Sequence, residues 1–253
     1  MGMKHRGGMP INRQALDAWL RSPRGRRLLE LQLRELDRVL PDLFGRHLVQ
    51  IGSWGPADEL LRSSQMLHRA VLGTVSRHEA GALIEPERLP LPEKSVDAVL
   101  LAHCLEYTPS PQSVLREANR VLNDRGRLLV LGFNPWSLWG LRGRLGLRHS
   151  AYPAGARFLG AGRLHDWMEL LDLEVIETRR FGAGFPWIPA RGDRDGFSPG
   201  ALLAPFAEAY LLIAKKRVIP LSLVGRVARA KVAPLIGAAP VPGAQTVQTR
   251  DPA

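Results

Sequence analysis

The stretch 89–134, LPLPEKSVDAVLLAHCLEYTPSPQSVLREANRVLNDRGRLLVLGFN, constrains the fold more than any other part of the chain. It opens on a Leu-Pro turn. Residues 97–102 then form an apolar run of strand length, the pattern of a strand covered on both faces. Ser110-Pro111 reads as a helix cap followed by proline at the first helical position. Val114, Leu115, Ala118, Val121 and Leu122 recur on one face of that helix, and Glu117 and Arg120 are spaced to pair on it. Asn123-Asp124-Arg125-Gly126 reads as a turn into a second buried strand over 127–132.

The same alternation extends both ways. Ser22-Pro23 repeats the cap signal, and Leu29, Leu33, Leu36 and Leu40 follow at helical spacing until Pro41. Arg26, Arg27, Arg34 and Arg38 take much of the remaining surface, so the helix is expected to pack on the domain edge. A strand is expected over 47–51. Gly52-Ser53-Trp54-Gly55 breaks it, and Pro56, Asp58 and Glu59 predict a helix that continues through Leu60-Leu61. Short strands are expected over 69–72 and 82–84, with room between them for a very short helix or none. A helix over 163–171 and strands over 174–178 and 207–214 complete the pattern. The segments 134–162 and 181–199 are long Gly-rich inserts, and loops of that length are functional or disordered. The reading is an α/β domain over 47–217 with a mostly parallel sheet and helices on both faces. A basic helical extension, 1–46, precedes it. A basic Ala/Pro-rich tail, 218–253, follows, with a short basic helix around 223–232 and disorder from about residue 238.

Charge is unevenly placed. The net charge is +11, yet residues 1–34 carry +6, residues 215–253 carry +6, and the middle carries −1. Such ends suit an anionic partner, RNA or a membrane surface among them, or are simply solvated. Cys104 is the sole cysteine, which excludes an intrachain disulfide and four-cysteine zinc sites and fits a reducing cytoplasm. Residues 1–13 lack the apolar core of a signal peptide, and no run of about 18 uncharged apolar residues occurs. A cytoplasmic protein with no transmembrane segment is expected.

The order of elements in 89–134 resembles the carboxyl half of the class I S-adenosylmethionine-dependent methyltransferases, and the FNPWSLWGLR run beginning at Phe133 resembles a bacterial subgroup related to the type 11 methyltransferase domain. The resemblance spans roughly 48–216. It implies a Rossmann-like sheet with an added antiparallel edge strand, S-adenosylmethionine as cofactor, and a small-molecule or RNA methyl acceptor.

It also implies site residues. The family's cofactor loop carries an acidic residue and then glycines at every second position; here those positions are Gln50, Gly52, Trp54 and Pro56, with Gly55 out of phase. Gly52, Trp54 and Gly55 are the candidates to meet the cofactor. The family's ribose carboxylate after the second strand has no counterpart between Leu60 and His78. Glu85, four positions before Leu89-Pro90, matches the acidic residue that bonds the adenine amino group. Ala102 and His103 stand at the carboxyl end of the strongest strand, where ligands sit in open parallel sheets. His103 is a candidate base or pocket wall, or else a packing residue; Cys104 reads as a small buried residue. Asn134, Trp136 and Trp139 are candidates to wall a pocket for a flat or apolar substrate, or to pack the loop on the sheet.

Two readings compete. One is methyl transfer, which relies on proximity and orientation and needs no obvious catalytic dyad. The other is a non-catalytic binding module on the same fold, motivated by the altered glycine loop.

Overall fold

The computed structural model describes residues 13–56, 58–73, 82–138, 140–141, 156–182 and 204–217. Seven strands form one sheet: β1 (His47–Ile51), β2 (His68–Gly73), β3 (Ala82–Leu83), β4 (Val96–Ala102), β5 (Leu122–Phe133), β6 (Leu173–Phe181) and β7 (Ala209–Lys216). Their order is β3-β2-β1-β4-β5-β7-β6. The first five run parallel. Strand β7 runs antiparallel to both its neighbours, one place in from the β6 edge. The order reverses between β1 and β4, the place where open α/β sheets have their ligand crevice, at the carboxyl ends of the strands.

Period-two alternation divides the side chains between two apolar layers. Leu48, Leu100, Leu129 and Leu131 face one layer, which α1 (Arg13–Arg21) and α2 (Pro23–Val39) cover with Leu16, Leu28 and Leu36. Val49, Ile51, Val99 and Leu101 face the other, which α3 (Pro111–Val121) and a fourth helix, α4 (Ala161–Glu169), cover with Leu115, Ala118, Leu164 and Met168. The expected ion pair forms: Arg120 meets Glu117 at 2.7 Å. It also fastens the Leu-Pro turn, because Glu117 accepts from Leu89 N–H and Arg120 donates to the Leu89 and Leu91 carbonyls.

Three expectations need correction. Helix α2 is packed into the apolar layer on one sheet face, with Leu28 and Leu36 buried there, where the sequence suggests the domain edge. The helix expected after β1 is a single 3-10 turn, Glu59–Leu61. Leu60 and Leu61 share the apolar layer that α2 already covers, so a longer helix there has no free face to cover. The turn expected at 123–126 lies inside β5, where the register slips between Val96↔Leu122 and Ala98↔Arg127. Asp97 holds that irregular stretch: one carboxylate oxygen accepts from the Asn123 side chain at 2.5 Å, the other from the backbone N–H groups of Arg46 and His47 at 2.8 and 2.9 Å. Among the described residues no helix is long and apolar enough to cross a membrane.

Candidate functional site

The carboxyl ends of β1, β4 and β5 carry a connected set of buried groups. After β1 the chain turns through Gly52 at φ +101° and Gly55 at φ +75°, a backbone that favours glycine. A Cβ on Gly52 would stand 2.6 Å from the Ala102 carbonyl oxygen, so the β1 loop presses directly on the end of β4. Trp54, at the second family glycine position, turns its indole inward beneath the N-terminal helices. It is 2% exposed and packs against Trp19, His103 and Phe133, with ring centroids 5.7, 4.0 and 5.6 Å away.

His103 follows β4 in the left-handed region, φ +50°, an uncommon place for a side-chain-bearing residue. Its ring lies between Trp54 and Phe133, the latter at 4.1 Å. The hydrogen bonds fix its tautomer. The indole N–H of Trp54 can only donate, and Gln32 Oε1 accepts it at 2.7 Å. The Gln32 amino group therefore points at His103 Nε2, 2.7 Å away, and that nitrogen accepts. The proton sits on Nδ1, which donates to Glu106 Oε1 at 3.2 Å. The same carboxylate oxygen accepts from Phe133 N–H at 2.9 Å. Both ring nitrogens of His103 are thus committed inside the protein, and the ring positions other groups in this state.

Neither Gln32 nor Glu106 stands out in the sequence as a site residue. The signal for Gln32 is a polar residue at the same helical spacing as Leu28 and Leu36, on the stripe that faces the core. It is fully buried, and so is Glu106 at 1%.

The other candidates divide. Ala102 is buried at the end of β4, its carbonyl against Gly52. Glu85 is exposed just past β3, its carbonyl closing a tight turn with Arg88 N–H at 2.9 Å. Thr108, past β4, donates to Glu87 and ties that turn to the crevice. Asn134 is a clamp: its amide donates to the Pro205 and Ala207 carbonyls at 2.7 and 2.8 Å, and its oxygen accepts from Trp136 N–H at 3.1 Å. Trp136 itself is 63% exposed. Trp139 and the tail 218–253 lie outside the described residues, as does the segment 74–81 between β2 and β3. Burial, with the Glu106 and Glu87 carboxylates adding to it, pushes the Cys104 thiol well above its usual range, which keeps it protonated and unreactive.

The site suits S-adenosylmethionine. Gly52 brings backbone close to the crevice with no side chain in the way. Three buried polar atoms there, Gln50 Oε1, Glu106 Oε2 and the Tyr107 hydroxyl, have no protein partner. Buried polar groups are almost always hydrogen-bonded, so unmatched ones gathered at strand ends point to a ligand that matches them.

Comparison with known proteins agrees. Residues 63–130 match the family model of a methyltransferase domain, a match that begins beyond the β1 loop. The chain is 33% identical over 211 residues to the uncharacterized protein YafS of Escherichia coli, covering 83% of this chain and 84% of that one. It is 36% identical over 98 residues to a demethylmenaquinone methyltransferase of Tropheryma whipplei, covering 35% of this chain and 41% of that one. Among solved structures it resembles a methyltransferase of Thermotoga maritima, with TM-score 0.61, 19% identity, and coverage of 81% of this chain and 95% of that one. A methyltransferase of Archaeoglobus fulgidus gives TM-score 0.59 at 16% identity, covering 81% and 100%. The match to the methyltransferase-domain model, together with the strand order, places this chain in the class I S-adenosylmethionine-dependent methyltransferases.

Proposed function

We propose that this protein methylates a small, largely apolar acceptor that enters the crevice past the β5 end of the sheet. The observation that carries this reading is an apolar rim. Trp136, Leu138, Leu141 and Phe206 are exposed at 63, 39, 45 and 50%. They sit on two segments that the Asn134 side chain holds together, since its amide bonds the carbonyls on either side of Phe206 and its oxygen bonds Trp136 N–H. Exposed apolar groups gathered in one place mark binding surfaces. The partial relative from Tropheryma whipplei is named for a quinone precursor, which fits an acceptor of this kind.

Bound S-adenosylmethionine supplies a methyl group on a positively charged sulfur. The protein's share is placement. Gly52 and Gly55 shape the loop, Glu85 offers an exposed carboxylate on the β3 side, and the packed Trp54–His103–Phe133 rings hold the crevice wall rigid. With His103 committed on both nitrogens, proximity and exclusion of water are the available sources of rate.

The test uses S-adenosylmethionine labelled in its methyl group, incubated with the protein and a cell extract. Label is expected in the fraction that partitions into organic solvent. Trp136→Ser combined with Phe206→Ser should raise the acceptor KM about tenfold, the scale of losing one or two apolar contacts, while cofactor affinity stays unchanged. Label confined to water-soluble products or RNA would overturn the apolar acceptor.

A further inference from the structure

The apolar rim stands at a corner of the sheet whose charge is one-sided. Phe133 of β5, Ala209 of β7 and Phe181 of β6 lie side by side there. Trp136, Leu138 and Leu141 follow β5, and Phe206 precedes β7. The segment 156–160 returns to the same corner. Phe158 packs on Phe133 with ring centroids 6.0 Å apart, and the Leu159 carbonyl accepts from the Tyr210 hydroxyl at 2.8 Å. Gly160, where α4 begins, faces Pro135.

The described residues of this corner, 133–138, 140–141, 156–163, 180–182 and 204–210, hold Arg157, Arg163 and Arg180 against a single acid, Glu208. All three arginines are exposed. Glu208 is buried, and Arg24 of α2 neutralises it at 2.6 Å. The corner therefore shows the solvent four apolar side chains, one of them an indole, among three cations.

That combination fits a lipid surface. Exposed apolar groups gathered in one place mark protein or membrane contacts. Tryptophan is favoured at the boundary between lipid and water, and arginine close to it is drawn to acidic headgroups. Binding to a bilayer surface grows with the apolar area buried and with the attraction to anionic lipid, and this corner supplies both.

We infer that this corner docks on an anionic bilayer surface and takes the methyl acceptor from the lipid. This rests on the apolar-acceptor reading above: an apolar molecule gathers in a bilayer, so the rim that admits it faces its source. The rim side chains enter the headgroup boundary, and the three arginines meet lipid phosphates around them. The Asn134 clamp keeps the two segments of the rim together as one surface.

The full chain is sedimented with vesicles of phosphatidylcholine alone and with vesicles of equal parts phosphatidylcholine and phosphatidylglycerol. It is expected to bind the mixed vesicles at least about tenfold more tightly than the neutral ones. Trp136→Ser combined with Phe206→Ser should weaken binding to the mixed vesicles about tenfold. Both side chains are exposed, so thermal unfolding should not change. Arg157→Glu combined with Arg180→Glu should remove most of the preference for anionic vesicles. Every variant keeps the basic tail 218–253. Unchanged binding in both double variants therefore assigns the attraction to the tail and overturns the inference, as does wild-type protein that stays in solution with either vesicle. A dimer in solution that Trp136→Ser dissociates would give the rim to a second copy of the chain, and also overturns it. The labelling experiment above stays separate. Label in the organic fraction without vesicle binding sinks the docking and leaves the apolar acceptor standing. Rim-dependent vesicle binding with label confined to water-soluble products sinks the acceptor reading, and delivery from the lipid with it.

Discussion

The indole N–H of Trp54 donates to Gln32 Oε1 at 2.7 Å, which ties the loop after β1 to a helix that precedes the sheet in sequence. The Gln32 amino group then serves His103. Replacing Gln32 by Leu strands two buried polar groups at once, the indole N–H and the His103 Nε2 lone pair. Each such group costs about 1–3 kcal/mol, so Gln32→Leu should lower unfolding stability by about 2–6 kcal/mol. Urea denaturation measures it. A loss below about 0.5 kcal/mol would mean that the relay does not hold the N-terminal helices on the sheet.

Gly52 and Glu85 should behave differently although both are assigned to the cofactor. A Cβ on Gly52 meets both a left-handed backbone and the Ala102 carbonyl. Gly52→Ala should therefore cost stability, about 1–3 kcal/mol, and weaken S-adenosylmethionine binding at least tenfold. Glu85 is exposed and its turn is closed by backbone atoms. Glu85→Ala should weaken binding by about tenfold, the worth of a hydrogen bond to a charged group, with thermal unfolding unchanged. Equal thermal shifts in the two variants would contradict this division.

The parts of the fold that are legible in the sequence are those set by local pattern. The 97–102 run, the helix start at Pro111 and the Glu117–Arg120 spacing reappear as β4, α3 and its ion pair, although the Ser110 side chain bonds Ser113 and does not cap the helix. The parts that are not legible depend on partners far along the chain. Nothing local in Pro56–Leu61 says that its helix will stop after one turn; that follows from α2 already covering the face. Likewise Asn123-Asp124-Arg125-Gly126 is a strong turn signal, and it becomes an irregular part of β5 because Asp97, 26 residues away, bonds Asn123. The site shows the same limit. Gly52, Ala102 and His103 are read as candidates from their places at strand ends. Gln32 and Glu106 acquire meaning only when the helix and two strands are brought together around Trp54.

Asp97 gives the stability a pH dependence. Burial alone would raise its carboxyl, but the hydrogen bonds from His47 and Arg46 N–H and from Asn123 outweigh that and hold it below the ordinary carboxylate value. A group depressed in the folded state stabilises fully above its unfolded pKa, about 4. That contribution is lost as pH falls through the folded value. Wild-type stability should therefore decline as pH drops below about 4, and Asp97→Asn should show less of this decline while being weaker at pH 7 by about 1–3 kcal/mol, because two backbone N–H groups lose a charged acceptor. Unfolding curves of the two proteins at pH 7 and pH 3 decide it. Parallel losses in both would assign the acid sensitivity elsewhere.

Gly132 tests how closely β5 and β7 are fitted near the site. It pairs with Tyr210 across the antiparallel ladder, and a Cβ added to it would fall inside the Tyr210 ring. That ring is 2% exposed and cannot swing outward without breaking the bond from its hydroxyl to the Leu159 carbonyl at 2.8 Å. Gly132 has an ordinary strand backbone, so Gly132→Ala carries no conformational penalty and its whole effect is steric. Overpacking of this kind costs about 1–3 kcal/mol. Tyr210→Phe removes the hydroxyl, frees the ring to shift, and should recover part of the loss in the double variant although it is itself destabilising by about 1 kcal/mol. A double-mutant cycle by chemical denaturation reads the coupling; strictly additive losses would show that the ring and the glycine do not constrain each other.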